Sequence, residues 1–213
     1  MKRTFWCAVL TTITTTACSS ESRQKVTPVY DPATRQLIRL DYDYDGNGLI
    51  DVRTHMYNGR PVRLEGDTDQ DGHIDRWEHY GSEGRLERLG GSTEADGIED
   101  SWAYPSGDDL RLEISTRRDG VVDRREFYTR DVLQRVEVDT NLDGRVDTWE
   151  QYAEGRLTTI LVDEDKRAGR PTRRIVYSGG AARVDVDPDG DGRFTPAEPS
   201  DRVPQAESVT DDH

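Results

Sequence analysis

Asp67-Thr68-Asp69-Gln70-Asp71-Gly72-His73-Ile74-Asp75-Arg76-Trp77-Glu78 decides how the rest of the chain is read. Acidic side chains stand at positions one, three, five, nine and twelve, with glycine at six and an aliphatic at eight. Alternate residues turn their carboxylates to one side, and glycine permits a sharp bend. That pattern suits a hard cation such as calcium, which takes six to eight oxygen ligands. Asp139-Thr140-Asn141-Leu142-Asp143-Gly144-Arg145-Val146-Asp147-Thr148-Trp149-Glu150 repeats it, down to the tryptophan before the final glutamate.

Working outward, the loop glycines Gly48, Gly72, Gly97, Gly120, Gly144, Gly169 and Gly192 are spaced by 24, 25, 23, 24, 25 and 23 residues. Seven units of about 24 residues therefore fill residues 37–198. Aromatic residues recur after the loops, at Trp77, Trp102 and Trp149 and at Tyr80, Tyr104, Tyr128, Tyr152 and Tyr177. Turn signals follow at Asn58-Gly59, Gly81–Gly84, Pro105–Asp109, Ala153–Gly155 and Ser178–Gly180. β-Prone runs such as Leu110–Ile114, Arg135–Val138 and Thr159–Val162 come next. A glycine, proline or Asn-Gly breaks every inter-loop stretch after about six residues, which suits hairpins and interrupts helices. The expected fold is all-β: tandem hairpin repeats in an antiparallel meander, joined by calcium-type loops. The alternative is a helical, dockerin-like array of EF-hands, whose period is similar.

The loops differ in their ligands. Loop one offers Asp43, Asp45, Asn47 and Asp51 but has Thr54 at position twelve. Loop two (Asp67, Asp69, Asp71, Asp75, Glu78) and loop five (Asp139, Asn141, Asp143, Asp147, Glu150) are complete. Loop seven counts as complete with Asp187, Asp189, Asp191 and Glu198. Loop three is marginal, with Ser92, Glu94, Asp96 and Asp100. Loop four has Arg117 at position three and is expected to hold no ion, its arginine pairing instead with Asp119 or Asp123. Loop six, around Asp163 and Asp165, has Arg167 and an extra residue and is expected to be empty.

The D-x-D-x-D-G-x-x-D core inside a predicted hairpin resembles the calcium loops of FG-GAP, integrin-type β repeats, and the added glutamate resembles EF-hand loops. The chain as a whole resembles the aspartate-rich tandem-repeat lipoproteins of Gram-negative bacteria. That resemblance implies calcium binding and a surface location without a defined activity. A period of 24 is far too short for a propeller blade, so a propeller does not follow from it.

Composition sets bounds. The 213 residues are 32% hydrophobic and 34% charged, with a formal net charge of −14. Such a chain has little apolar material for a thick core, and its charge repels nucleic acid. Residues 1–17 read as an export signal: Lys2 and Arg3, an apolar run from Phe5 to Ile13, then Ala17 before Cys18. Thr15-Thr16-Ala17-Cys18-Ser19-Ser20 resembles a bacterial lipobox, which implies lipidation of Cys18, a membrane anchor and, with Ser19, the outer membrane. An ordinary secretory leader is the alternative. The other cysteine, Cys7, lies within the leader, so calcium is the available staple. Residues 18–36 read as lipidated cysteine and flexible tether, and residues 199–213 as a disordered tail.

No nucleophile elbow, H-E-x-x-H or phosphate-binding glycine loop occurs in the chain. His55 and His79 share a phase in consecutive units and read as a cross-repeat pair. The expectation is a non-enzymatic, lipid-anchored envelope protein that binds or scaffolds an envelope protein or polysaccharide. The alternatives are polysaccharide binding through an exposed aromatic row, or a calcium-dependent envelope hydrolase.

Overall fold

The computed structural model describes residues 25–164 and 169–198, which form one antiparallel sheet in which every strand pairs with its neighbours in sequence. The strands are β1 (Lys25–Tyr30), β2 (Leu37–Asp43), β3 (Val52–Tyr57), β4 (Arg60–Gly66) and β5 (Arg76–Tyr80). Then come β6 (Leu86–Gly91), β7 (Ser101–Ser106), β8 (Asp109–Ile114), β9 (Arg124–Thr129) and β10 (Val132–Val138). The meander ends with β11 (Thr148–Ala153), β12 (Arg156–Val162), β13 (Arg173–Ser178), β14 (Ala181–Val186) and the short β15 (Thr195–Pro196). The described residues contain no helix, so the dockerin-like alternative is excluded. Signal peptide, Cys18 and tail lie outside the described residues.

Acidic loops form one rim of the sheet and tight turns the other. Asn58-Gly59, Glu154-Gly155 and Gly179-Gly180 make two-residue turns with both residues left-handed, at φ 48° and 74°, 52° and 72°, and 58° and 82°. That geometry matches the twist of paired strands. Arg130-Asp131, which carries no glycine signal, adopts the same form at φ 50° and 61°. Arg130 offsets the strain by donating its backbone N–H to the Asp108 carbonyl (2.8 Å) and its Nε to the Asp108 carboxylate (3.0 Å).

One expectation needs correction. Lys25–Tyr30, assigned above to the flexible tether, is strand β1, paired with β2 from Lys25↔Asp43 to Tyr30↔Leu37. Pro28 is tolerated there because β1 is an edge strand and has no second neighbour needing that N–H.

Register separates two chemically distinct faces. Across one face runs Leu40–Thr54–Leu64–Glu78–Leu89–Ala103–Leu112–Glu126–Val136–Glu150–Ile160–Ile175–Val184, each residue opposite the next. Across the other runs Asp41–Arg53–Glu65–Trp77–Gly90–Trp102–Glu113–Arg125–Glu137–Trp149–Leu161–Arg174–Asp185. With one layer there is almost no dry interior: Trp77 and Val136 are the only buried hydrophobic side chains described. Burial falls instead on carboxylates, among them Asp100, Asp163, Asp185 and Asp187, each at most 1% exposed. Hydrogen bonds and ion pairs must satisfy them; Asp185 Oδ1 has no hydrogen bond and faces Arg183 Nε as an ion pair at 3.0 Å.

Candidate metal centre

Each loop is shaped by its own acidic residues. The position-one side chain accepts the backbone N–H of the position-six glycine: Gly48 to Asp43 (3.0 Å), Gly72 to Asp67 (2.8 Å), Gly144 to Asp139 (2.7 Å) and Gly192 to Asp187 (2.8 Å). Gly169 donates to Asp163 at 3.2 Å, and in loop four the Ser115 hydroxyl accepts from Gly120 at the same distance. The position-nine aspartate closes the other side, taking the N–H of residue two and, where that residue is threonine, its hydroxyl. Thr68–Asp75, Thr93–Asp100, Thr116–Asp123 and Thr140–Asp147 are four copies of this clasp. The recurrent threonine at position two was the missed sequence signal.

Position six is left-handed throughout, at φ 79° to 94° from Gly48 to Gly192, with open space around most of these glycines. Position four is left-handed too, and there the residue is often not glycine: Gln70 (φ 63°), Ala95 (53°), Arg118 (61°) and Leu142 (63°), beside Gly46 (77°) and Gly190 (71°). The two bends fold the loop back on itself and turn its odd-numbered side chains together.

Among the described residues, three loops bring carboxylates within reach of one ion: Asp43, Asp45 and Asp51; Asp67, Asp69 and Asp71; Asp187, Asp189 and Asp191. In each set one oxygen per residue lies within 4.8 Å of the others. Calcium–oxygen distances of about 2.3–2.6 Å allow ligands that far apart around one centre. Asn47 stays in loop one, donating Nδ2 to Asp45 at 3.0 Å. Loop five repeats the fold with Asp139, Asn141 and Asp143, Asn141 donating to Asp143 at 3.1 Å. Asp75 and Asp147 serve the threonine clasps. Burial pushes the Asp187 carboxyl up, but the Gly192 N–H, Asp189 and the N–H groups of Gly190 and Asp191 prevail and hold it below the ordinary range.

The position-twelve glutamates are not in the loops. Glu78 and Glu150, expected to close loops two and five, point from β5 and β11 onto the aliphatic face. Glu78 receives Arg76 Nη2 at 2.7 Å and the Tyr80 hydroxyl, and Glu150 receives the Tyr152 hydroxyl at 2.6 Å. Glu126, behind loop four, does the same with Arg124 Nε (2.7 Å) and the Tyr128 hydroxyl. Glu198 is exposed and outside the Asp187 cluster. A recurring E-x-Y was thus a strand motif. Glu126, standing behind an arginine-bearing loop, was the clue.

In loop four Arg117 does pair with Asp119, Nε to Oδ2 at 3.6 Å, between two exposed side chains. Its neighbour Arg118 crosses into loop three and bonds Glu94, Asp96 and Asp100. Of loop six, Asp163 is buried and Thr172 takes the clasp role, accepting the Glu164 N–H at 3.2 Å. Asp165 and Arg167 lie outside the described residues.

On the charged face the histidines do not pair with each other. Both lie opposite Arg63, with His55 Nε2 3.3 Å from Glu65 and His79 Nε2 2.7 Å from Glu99. Glu99 also accepts Trp102 Nε1 at 3.0 Å and lies over Gly90, where a Cβ would fall 2.2 Å from its Oε1. Arg111 stacks on Tyr104 (4.3 Å to the ring centre) and Arg135 on Phe127 (3.7 Å). Tyr104 stands on this face because it comes one residue earlier in its repeat than the other tyrosines.

No family model matches the chain, and no curated protein matches it. Among solved structures it is similar to Staphylococcus aureus TarM, as a point mutant in complex with fondaparinux, alpha-GlcNAc-glycerol and UDP (TM-score 0.38, 14% identity, 49% of this chain and 20% of that one). It is also similar to a GtfA/B complex (TM-score 0.35, 15% identity, 46% and 19%) and to a second TarM structure (0.28, 14%, 51% and 18%). The chain spans about a fifth of the length of these proteins. Likeness of this size assigns no activity.

Proposed function

We propose that this chain is a calcium-binding repeat module of a bacterial envelope, anchored through a lipid on Cys18, that serves non-enzymatically as a binding or scaffolding surface. The supporting observation is the convergence of three aspartate side chains in each of loops one, two and seven, on a backbone that the same residues preform. Crowded carboxylates repel one another, and a divalent ion reverses the sign of that interaction. Loop five supplies a fourth, weaker set. The ion would be held by positions one, three and five, with Asp51 added in loop one and without the position-twelve glutamates.

The aromatic row gives less support to polysaccharide binding. Trp77 is 4% exposed, and Tyr104 and Phe127 each carry a guanidinium on one ring face. These rings are used in packing.

Isothermal titration with calcium, paired with melting curves in calcium and in EGTA, tests the proposal. Sites of millimolar strength or better and a higher Tm in calcium are expected. No binding and identical melting in chelator would refute it.

A further inference from the structure

At two loops the left-handed position-four residue reaches the preceding loop. Gln70 of loop two shares a depression with Asn47, Leu49 and Asp51 of loop one. Among the described residues, five of the six at position four are uncharged: Gly46, Gln70, Ala95, Leu142 and Gly190. The sixth is Arg118, whose guanidinium enters loop three. Its Nε donates to Asp100 Oδ2 (2.9 Å), its Nη1 to Glu94 Oε2 (2.7 Å) and its Nη2 to Asp96 Oδ1. The Arg118 side chain is 18% exposed, and Asp100 is 0% exposed.

Glu94, Asp96 and Asp100 stand at positions three, five and nine, three oxygen-bearing positions of a metal loop. Position one is Ser92, so this loop lacks the carboxylate that gathers the N–H groups in loops one, two, five and seven. A planar fork with five donors can satisfy three carboxylates at once, where a point charge on a flexible stem cannot.

We infer that Arg118 is the resident cation of loop three, making the junction of the third and fourth repeats independent of calcium. The candidate calcium loops lie on either side: one and two before it, five and seven after. Removing the ion therefore loosens two flanks about a centre that stays pinned. The behaviour of the flanks rests on the calcium reading; the pin itself does not.

Amide hydrogen exchange of the full chain, read by mass spectrometry in EGTA and in calcium, tests the inference. In EGTA the unmodified protein should keep residues 92–123 protected while 43–75 and 139–150 exchange faster. Arg118→Gln should speed exchange across 92–123 in EGTA by about tenfold, the effect of losing one charge-assisted network. Calcium should slow it again by binding the vacated carboxylates. Arg117→Gln, next door, should change nothing. Should Arg118→Gln fail to fold, the double variant Glu94→Gln/Asp96→Asn, at two solvent-facing partners, reads the same loss with Arg118 kept. Exchange over 92–123 in EGTA matching the unmodified protein, in whichever variant folds, would overturn the pin. Absence of calcium rescue in Arg118→Gln would overturn the claim that the guanidinium stands where an ion fits. If the unmodified chain binds no calcium, the proposed function fails, yet the exchange comparison in EGTA still judges Arg118.

Discussion

An aspartate at position one of a loop has two separable tasks. Asp139, 7% exposed, accepts the N–H groups of Leu142 (2.7 Å), Asp143 (3.2 Å) and Gly144 (2.7 Å), so the loop depends on it with or without an ion. Asp69, at position three, is exposed, accepting one backbone N–H at 3.3 Å. Asp139→Ala should therefore cost about 1–3 kcal/mol even in EGTA. Asp69→Ala should stay within about 0.5 kcal/mol there and show its effect only in calcium. Urea unfolding in both buffers separates the two; equal losses in EGTA would contradict this division. Tyrosines make a second prediction at this scale. Burial, followed by the bond to Glu78 and its negative charge, pushes Tyr80 up to about 12, and Tyr152 beside Glu150 likewise to about 12. A phenol whose folded pKa is raised favours folding below its ordinary value of 10 and loses that contribution as pH rises toward 12. Ultraviolet titration should show these two ionising above the ordinary phenol value, and Tyr80→Phe should flatten the alkaline fall in stability between those limits.

At the scale of the element, the same residue type serves two trades, and this explains what the sequence concealed. Glu78, Glu126 and Glu150 occupy the metal-ligand phase of their loops and yet lie in strands, two residues before a tyrosine that bonds them. Strands alternate faces, so a glutamate three residues past position nine is carried out of the loop plane as soon as pairing begins. The hairpins were legible because Asn58-Gly59 and Gly179-Gly180 are turns on any reading; Arg130-Asp131 was not, since its conformation is sustained by Asp108 of the neighbouring hairpin. The loops were legible at positions one, three, five and six. Position four was not, because left-handed Gln70, Ala95, Arg118 and Leu142 share no side-chain property. Two outcomes follow. Glu150→Gln should leave the number and affinity of calcium sites unchanged by titration, where a true position-twelve ligand would lose one. Glu126→Ala should cost about 2–4 kcal/mol in either buffer, because Glu126 is 2% exposed and leaves Arg124 without its partner.

At the scale of the molecule, every strand–strand contact among the described residues joins sequence neighbours, from β1·β2 to β14·β15. Stability in such a sheet is a chain of local terms: each strand's pairing, its share of the aliphatic and charged rows, and the loop that joins it to the next. A domain with a central core loses everything when a third of it is removed, whereas this sheet has no centre to lose. The truncated chain 25–138 keeps β1 to β10, ends on an edge strand carrying Gln134, Arg135 and Glu137, and retains the clusters of loops one and two. The charged side chains blunt that new edge against self-association. It should show the β-sheet circular dichroism of the parent and bind calcium at loops one and two. Amide protection from β2 to β8 should stay within about threefold of the parent, with losses confined to β9 and β10. Global unfolding of the fragment would mean that cooperativity reaches beyond neighbouring strands, through a cross-sheet packing that the register does not contain.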